Sequence, residues 1–110
     1  MNKRNTVSIV GTVISDPYVV KADKKYLCFF DISGKTFQYA DKDEIVDIDE
    51  RFTVINIGRQ SSYFFKRSIH AGMELWVYGN LKSVEHQNED GEIVRVNYLN
   101  LRDLRCNDWI

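Results

Sequence analysis

A chain of 110 residues has room for one domain and one core, and its 44% apolar content is ordinary for a soluble globular protein. No stretch approaches the roughly 18 consecutive apolar residues of a membrane span, and Met1-Asn2-Lys3-Arg4 leads into an alternating segment rather than a secretory leader, so a cytoplasmic protein without membrane contact is expected. The net charge of −1 is uneven: residues 41–50 (DKDEIVDIDE) hold six acids and one base, which leaves 10 acids and 14 bases elsewhere, a net of +4 that suits a basic groove.

Residues 5–15 (NTVSIVGTVIS) are rich in β-branched residues and read as a first strand. Gly11 falls inside it, where a bulge or bend is expected, and Asp16-Pro17 ends the pairing. Residues 25–33 (KYLCFFDIS) read as a second strand, with Cys28, Phe30 and Ile32 on one face by the period of two. The acidic 34–50 stretch reads as a long connector at a hairpin tip. Residues 51–58 (RFTVINIG) read as a third strand, in which Phe52 points opposite to Thr53 and Ile55.

Residues 61–71 form the one good helix candidate, capped by Ser61 or Ser62, with Phe65 and Ile69 at i, i+4 and Gly72 as its C′ glycine. Phe65 is expected in the core and Tyr63 half-exposed. Residues 73–85 and 92–104 then form a hairpin around Asn88-Glu89-Asp90-Gly91, a strong turn signal. The predicted fold is all-β: a five-stranded OB-fold barrel with one helix between strands 3 and 4, as a single domain over residues 1–110.

Four stretches, in order, resemble the bacterial and phage single-stranded DNA-binding protein family. They are Asn5–Gly11 with Asp16-Pro17, Cys28–Ile32, Arg51–Val54 running to Gly58-Arg59, and Ala71–Lys82, which is similar to that family's K-G-x-x-V-x-V-x-G-x-L-x pattern. The Asp90-Gly91 turn follows at the family's spacing, and the likeness spans residues 5–105. The resemblance implies an OB-fold, homodimers or homotetramers assembled through the first strand, and single-stranded DNA (ssDNA) on the outer face. The acidic 41–50 segment and Val84, in place of a basic residue, depart from the family pattern. So does the ending Asn107-Asp108-Trp109-Ile110, which has no flexible C-terminal tail. That ending points to a phage, plasmid or mobile-element relative or a truncated chain.

Binding ssDNA without sequence preference needs rings for the bases and cations for the phosphates. The stacking candidates are Phe37, Tyr39, Phe52, His86 and Trp76, with Phe52 and His86 placed by the resemblance. Trp76 shares a face with Tyr78, opposite Leu75 and Val77, and also reads as a subunit contact. The phosphate candidates are Lys35, Arg51, Arg59, Lys82 and Arg95.

No catalytic or metal site is expected, and no cofactor. His70 and His86 have no metal-ligand spacing, Cys28 and Cys106 form no CxxC, and the acidic run fails the calcium-loop template at Ile45 and Val46. The expected function is non-enzymatic ssDNA binding in replication or recombination, with replication proteins as further partners. The alternative is a primosome-type or other protein-interaction OB-fold accessory protein with weak ssDNA affinity.

Overall fold

Alternation of apolar and polar residues every second position drives most of this chain into strands whose inner faces share one core. The computed structural model describes residues 5–106. Its elements are β1 (Thr6–Val13), β2 (Tyr18–Ala22), β3 (Lys25–Tyr39), β4 (Val46–Ile57), α1 (Arg59–Ser68), β5 (Glu74–Gln87) and β6 (Ile93–Arg105). The chain is mostly β with one helix, as expected, but it has six strands rather than five. The additional strand is β2, a short hairpin partner of β3 entered after Asp16-Pro17.

Five strands pair in a closed circuit: β1 with β3, β3 with β4, β4 with β6, β6 with β5, and β5 with β1. Only β4–β6 is parallel, and it is short, running from Thr53↔Tyr98 to Ile55↔Asn100. The circuit encloses Val7, Ile9, Phe30, Ile32, Val54, Leu75, Val77 and Leu99, all fully buried. Leu75 and Val77 thus point inward, as the alternation predicts. Gly11 sits at a register shift between β1 and β3, where a Cβ would lie 2.6 Å from the Ser33 carbonyl oxygen. That close approach is the physical content of the bend predicted there.

The 34–50 stretch is not a connector. Thr36↔Asp47 and Phe37↔Val46 extend the β3–β4 ladder almost to its tip, and only residues 40–45 lie outside the strands. The acids fit because Asp47, Asp49 and Glu50 lie on a ladder end exposed to solvent, which tolerates charge at no desolvation cost.

Two helix expectations also change. The helix starts earlier, with Gly58 at the N-cap accepting the first helical bond from the Ser62 N–H at 3.1 Å. Ser62 is buried inside the helix instead of capping it, and its Oγ accepts from the Asn56 amide at 3.1 Å. The helix ends at Ser68 with Ile69 as C-cap, so Gly72 is not C′. It lies in the following turn and donates its N–H to the Val13 carbonyl. Ile69 is buried, Phe65 packs against the core, and Tyr63 is exposed. The β5–β6 hairpin turns at Asn88–Gly91 as read, with the Asn88 side-chain oxygen accepting from the Asp90 and Glu92 N–H groups. Among the described residues, no helix is long and apolar enough to cross a membrane.

Candidate nucleic-acid interface

Residues opposed across a ladder share a face, so the registers define rows on the outside of the circuit. One row runs Tyr18–Phe29–Ile55–Asn100 across β2, β3, β4 and β6. A second runs Val20–Leu27–Ile57, and a third Asp31–Thr53–Tyr98–Lys82. Val84↔Val96 and His86↔Val94 extend the same face onto the β5–β6 hairpin. Tyr18 (56% exposed) and Ile57 (59%) stand open, and the Tyr18 and Phe29 rings stack with centroids 5.3 Å apart. An outward band of rings and β-branched side chains therefore centres on β3 and β4, the strands flanked by β2 and β6, which occupy the place of the ligand-binding strands 2 and 3 of an OB-fold.

Cations border this band. Lys82 is exposed at the end of the third row and has no ion-pair partner among the described residues. Arg59 lies 5.4 Å and Lys21 5.6 Å from the Tyr26 ring centroid, but Tyr26 has the parity of Cys28 and Phe30 and its ring meets Tyr63 of α1 at 5.9 Å, so this cluster lies on the face opposite the second row. Arg51 donates to the Asp31 carboxylate, whose other oxygen accepts from the Thr53 hydroxyl at 2.6 Å. Arg95 pairs with Glu85 at 2.8 Å and Lys35 with Glu74 at 2.7 Å. The Arg95–Glu85 and Lys35–Glu74 pairs are exposed and worth about 0–1 kcal/mol, so a phosphate can replace the carboxylate cheaply there, whereas Asp31 is only 20% exposed and holds Arg51 more firmly.

The structure does not bring the expected stacking residues together. Phe52 is corrected: its side chain points opposite to Thr53 and Ile55, as read, but that direction is inward. At 2% exposed it has no face open to a base. Phe37, expected in a connector, lies in β3 and packs against the core, with its ring 6.5 Å from Phe52 and 4.9 Å from Tyr39. Tyr39 (37% exposed) closes that inner cluster at the end of the strand. Trp76 is stacked on Tyr78 at 5.9 Å, with the Arg105 guanidinium 5.3 Å from its ring. It faces outward beside Val10 and Arg105, on the β1–β5 side of the circuit, away from β4. His86 is exposed on the outer band. Trp109 lies outside the described residues.

Tyr18, Phe29, Ile57 and Tyr98 were not singled out from the sequence. The signal was available for Phe29: it has the opposite parity to Cys28, Phe30 and Ile32, so burying those three must expose it. Tyr18 could not be placed, because nothing in Tyr18–Ala22 announced a strand paired to β3.

The fold can be compared with known structures on this basis. It is similar to the small single-stranded DNA-binding protein from Streptomyces coelicolor, with TM-score 0.74 and 23% identity over 97% of this chain and 96% of that one. It is also similar to a Plasmodium falciparum SSB in complex with ssDNA, with TM-score 0.66 and 13% identity over 94% and 97% of the two chains. The chain has the fold of these single-stranded DNA-binding proteins. No family model and no curated protein matches the sequence.

Proposed function

We propose that this protein binds ssDNA without sequence preference along the outer band, and so protects unwound strands during replication or recombination in the cytoplasm. The observation that carries this reading is the row Tyr18–Phe29–Ile55, set beside the Asp31–Thr53–Tyr98–Lys82 row on the outer face. Bases stack on Tyr18, Phe29, Tyr98 and His86, while Lys82 and Arg51 neutralise phosphates. The reading needs no catalytic group. It includes a homodimer or homotetramer, with the half-buried Trp76–Tyr78 pair serving as subunit contact rather than base platform, and an origin in a phage or other mobile element.

One observation favours a second reading, a protein-interaction OB-fold with weak ssDNA affinity. Lys35, Arg51 and Arg95 are already engaged by carboxylates. Anisotropy of labelled oligo-dT at low and high salt decides between the two. Saturable binding that weakens with salt supports ssDNA binding. Absence of binding at low salt overturns it and leaves the protein-interaction reading.

A further inference from the structure

The inner cluster of rings does not belong to the outer band, and it lines a pocket of about 250 Å³ between β3, β4 and the β5–β6 hairpin. Phe37 and Tyr39 supply aromatic surface backed by the buried Phe52, Ile48 and Leu81 supply aliphatic surface, and Glu50 supplies a carboxylate. The Phe37 ring is nearly perpendicular to Tyr39 (85°) and nearly parallel to Phe52 (19°), so ring surfaces meet the pocket in more than one orientation. Glu50 is the only ionised side chain among the lining residues, and it has no ion-pair partner among the described residues.

The surroundings set the sign of the occupant's charge. Asp41, Asp43, Glu44, Asp47 and Asp49 are all exposed within the same β3–β4 tip, against Lys42 alone. A strand of nucleic acid would carry its phosphates into this field, within a screening length of about 10 Å at moderate salt. A cation is drawn to it. The Tyr39 ring already shows this preference, with the Lys42 ammonium 5.2 Å from its centroid. Guanidinium matches the rest of the site better than ammonium does. It is planar, stacks on ring faces and forms two parallel hydrogen bonds to one carboxylate.

We infer that this pocket takes an arginine side chain from a basic segment of a partner protein. The guanidinium lies against Tyr39 and Phe37 and pairs with Glu50, and the acids of the tip steer the segment in. The pocket is thus a protein-docking site separate from the outer band.

The test uses the full chain, isotope-labelled for NMR, titrated with an alternating arginine–glycine octapeptide and with its citrulline counterpart, which keeps the shape and loses the charge. The arginine peptide is expected to shift the amide signals of Phe37, Tyr39, Glu50 and Phe52, and the citrulline peptide is not. Glu50→Gln, an exposed and nearly isosteric change, weakens binding about fivefold. Tyr39→Ala weakens it about fivefold. Asp43→Asn, outside the pocket, weakens it about twofold at most. Equal affinity of Glu50→Gln and wild type, or equal affinity for the citrulline peptide, overturns the proposal. So does a titration with oligo-dT that shifts the pocket signals in place of the outer band, because the occupant is then a base.

Discussion

Phe52 and Phe29 stand on adjacent strands with opposite parity, and substituting each by alanine separates core from interface. Phe52 is 2% exposed, beneath Phe37 and beside Gly34, where a Cβ would meet the Phe52 ring at 2.9 Å. Phe52→Ala is therefore expected to cost about 3–5 kcal/mol of stability, a large share of the roughly 5–15 kcal/mol available to a domain. With a urea slope near 2 kcal/mol/M, the midpoint falls by about 2 M. The molecules that remain folded keep their outer band, so their affinity for oligo-dT is expected to stay within about twofold of wild type. Phe29→Ala does the reverse. It loses a partly exposed ring and its stack on Tyr18, costing about 1 kcal/mol of stability. On the proposed reading it removes a base platform worth about 1–3 kcal/mol of binding, or about five- to 150-fold in affinity. Urea unfolding followed by circular dichroism gives the first quantity, and anisotropy of labelled oligo-dT well below the midpoint gives the second. Folded Phe52→Ala that loses affinity a hundredfold, beside Phe29→Ala that binds as wild type, would refute the placement of bases on the outer face.

The remaining predictions test charge, backbone and burial. Lys82→Ala is expected to lower oligo-dT affinity at low salt and to flatten the plot of log affinity against log salt by about 0.7, the contribution of one phosphate on a single strand; titrations at several salt concentrations measure it. Gly79→Ala is expected to destabilise severely, because its Cβ would lie 2.0 Å from the Asn100 carbonyl oxygen in the facing strand; a thermal midpoint within a few degrees of wild type would contradict the β5–β6 register. Burial pushes the Cys28 thiol up to about 11, partly offset by the Lys66 charge. Its native pKa lies above the value of 9.0 for a free thiol, so its contribution to stability is complete below pH 9 and is lost as pH rises through 11. Urea midpoints across that window should fall in wild type and fall less in Cys28→Ala, and a thiol reagent at neutral pH should reach Cys28 only on unfolding.

Strand existence was legible because burial imposes a period of two, and the inner sets Cys28–Phe30–Ile32 and Leu75–Val77 need nothing more than that period. The Asn88–Gly91 turn was legible because its chemistry is local. What escaped has non-local causes. Phe52 was given to the DNA by a motif position, although the parity that separates it from Thr53 and Ile55 could equally have placed it inside. The choice depends on which strands flank β4, and no window of sequence contains β3 and β6 together. The ladder beyond Gly34 escaped because acids read as loop, when in a two-stranded extension open to water they are ordinary strand residues. The helix start escaped because Ser61 and Ser62 look like caps. Their hydroxyls are instead taken by Asn56, which only the packing of α1 beside β4 reveals.

The closed pairing also constrains how a second copy can meet this one. β1 is paired on both sides, to β3 and to β5, over nearly its whole length, so its backbone has no free edge to offer another strand. Contact through the first strand must then run face to face, through Ser8, Val10 and Thr12 and the Trp76 and Tyr78 side chains beside them on β5. That surface lies across the circuit from β4, so an assembly built on it leaves each outer band free and turned away from its counterpart. On the proposed function, a strand of ssDNA engaging two copies of such an assembly would pass around it rather than between its subunits. Trp76→Ala should accordingly lower the mass measured by sedimentation while leaving the affinity of one subunit for a short oligo-dT unchanged. Loss of short-oligo affinity with unchanged mass would place Trp76 under the bases and reverse the assignment of the two faces.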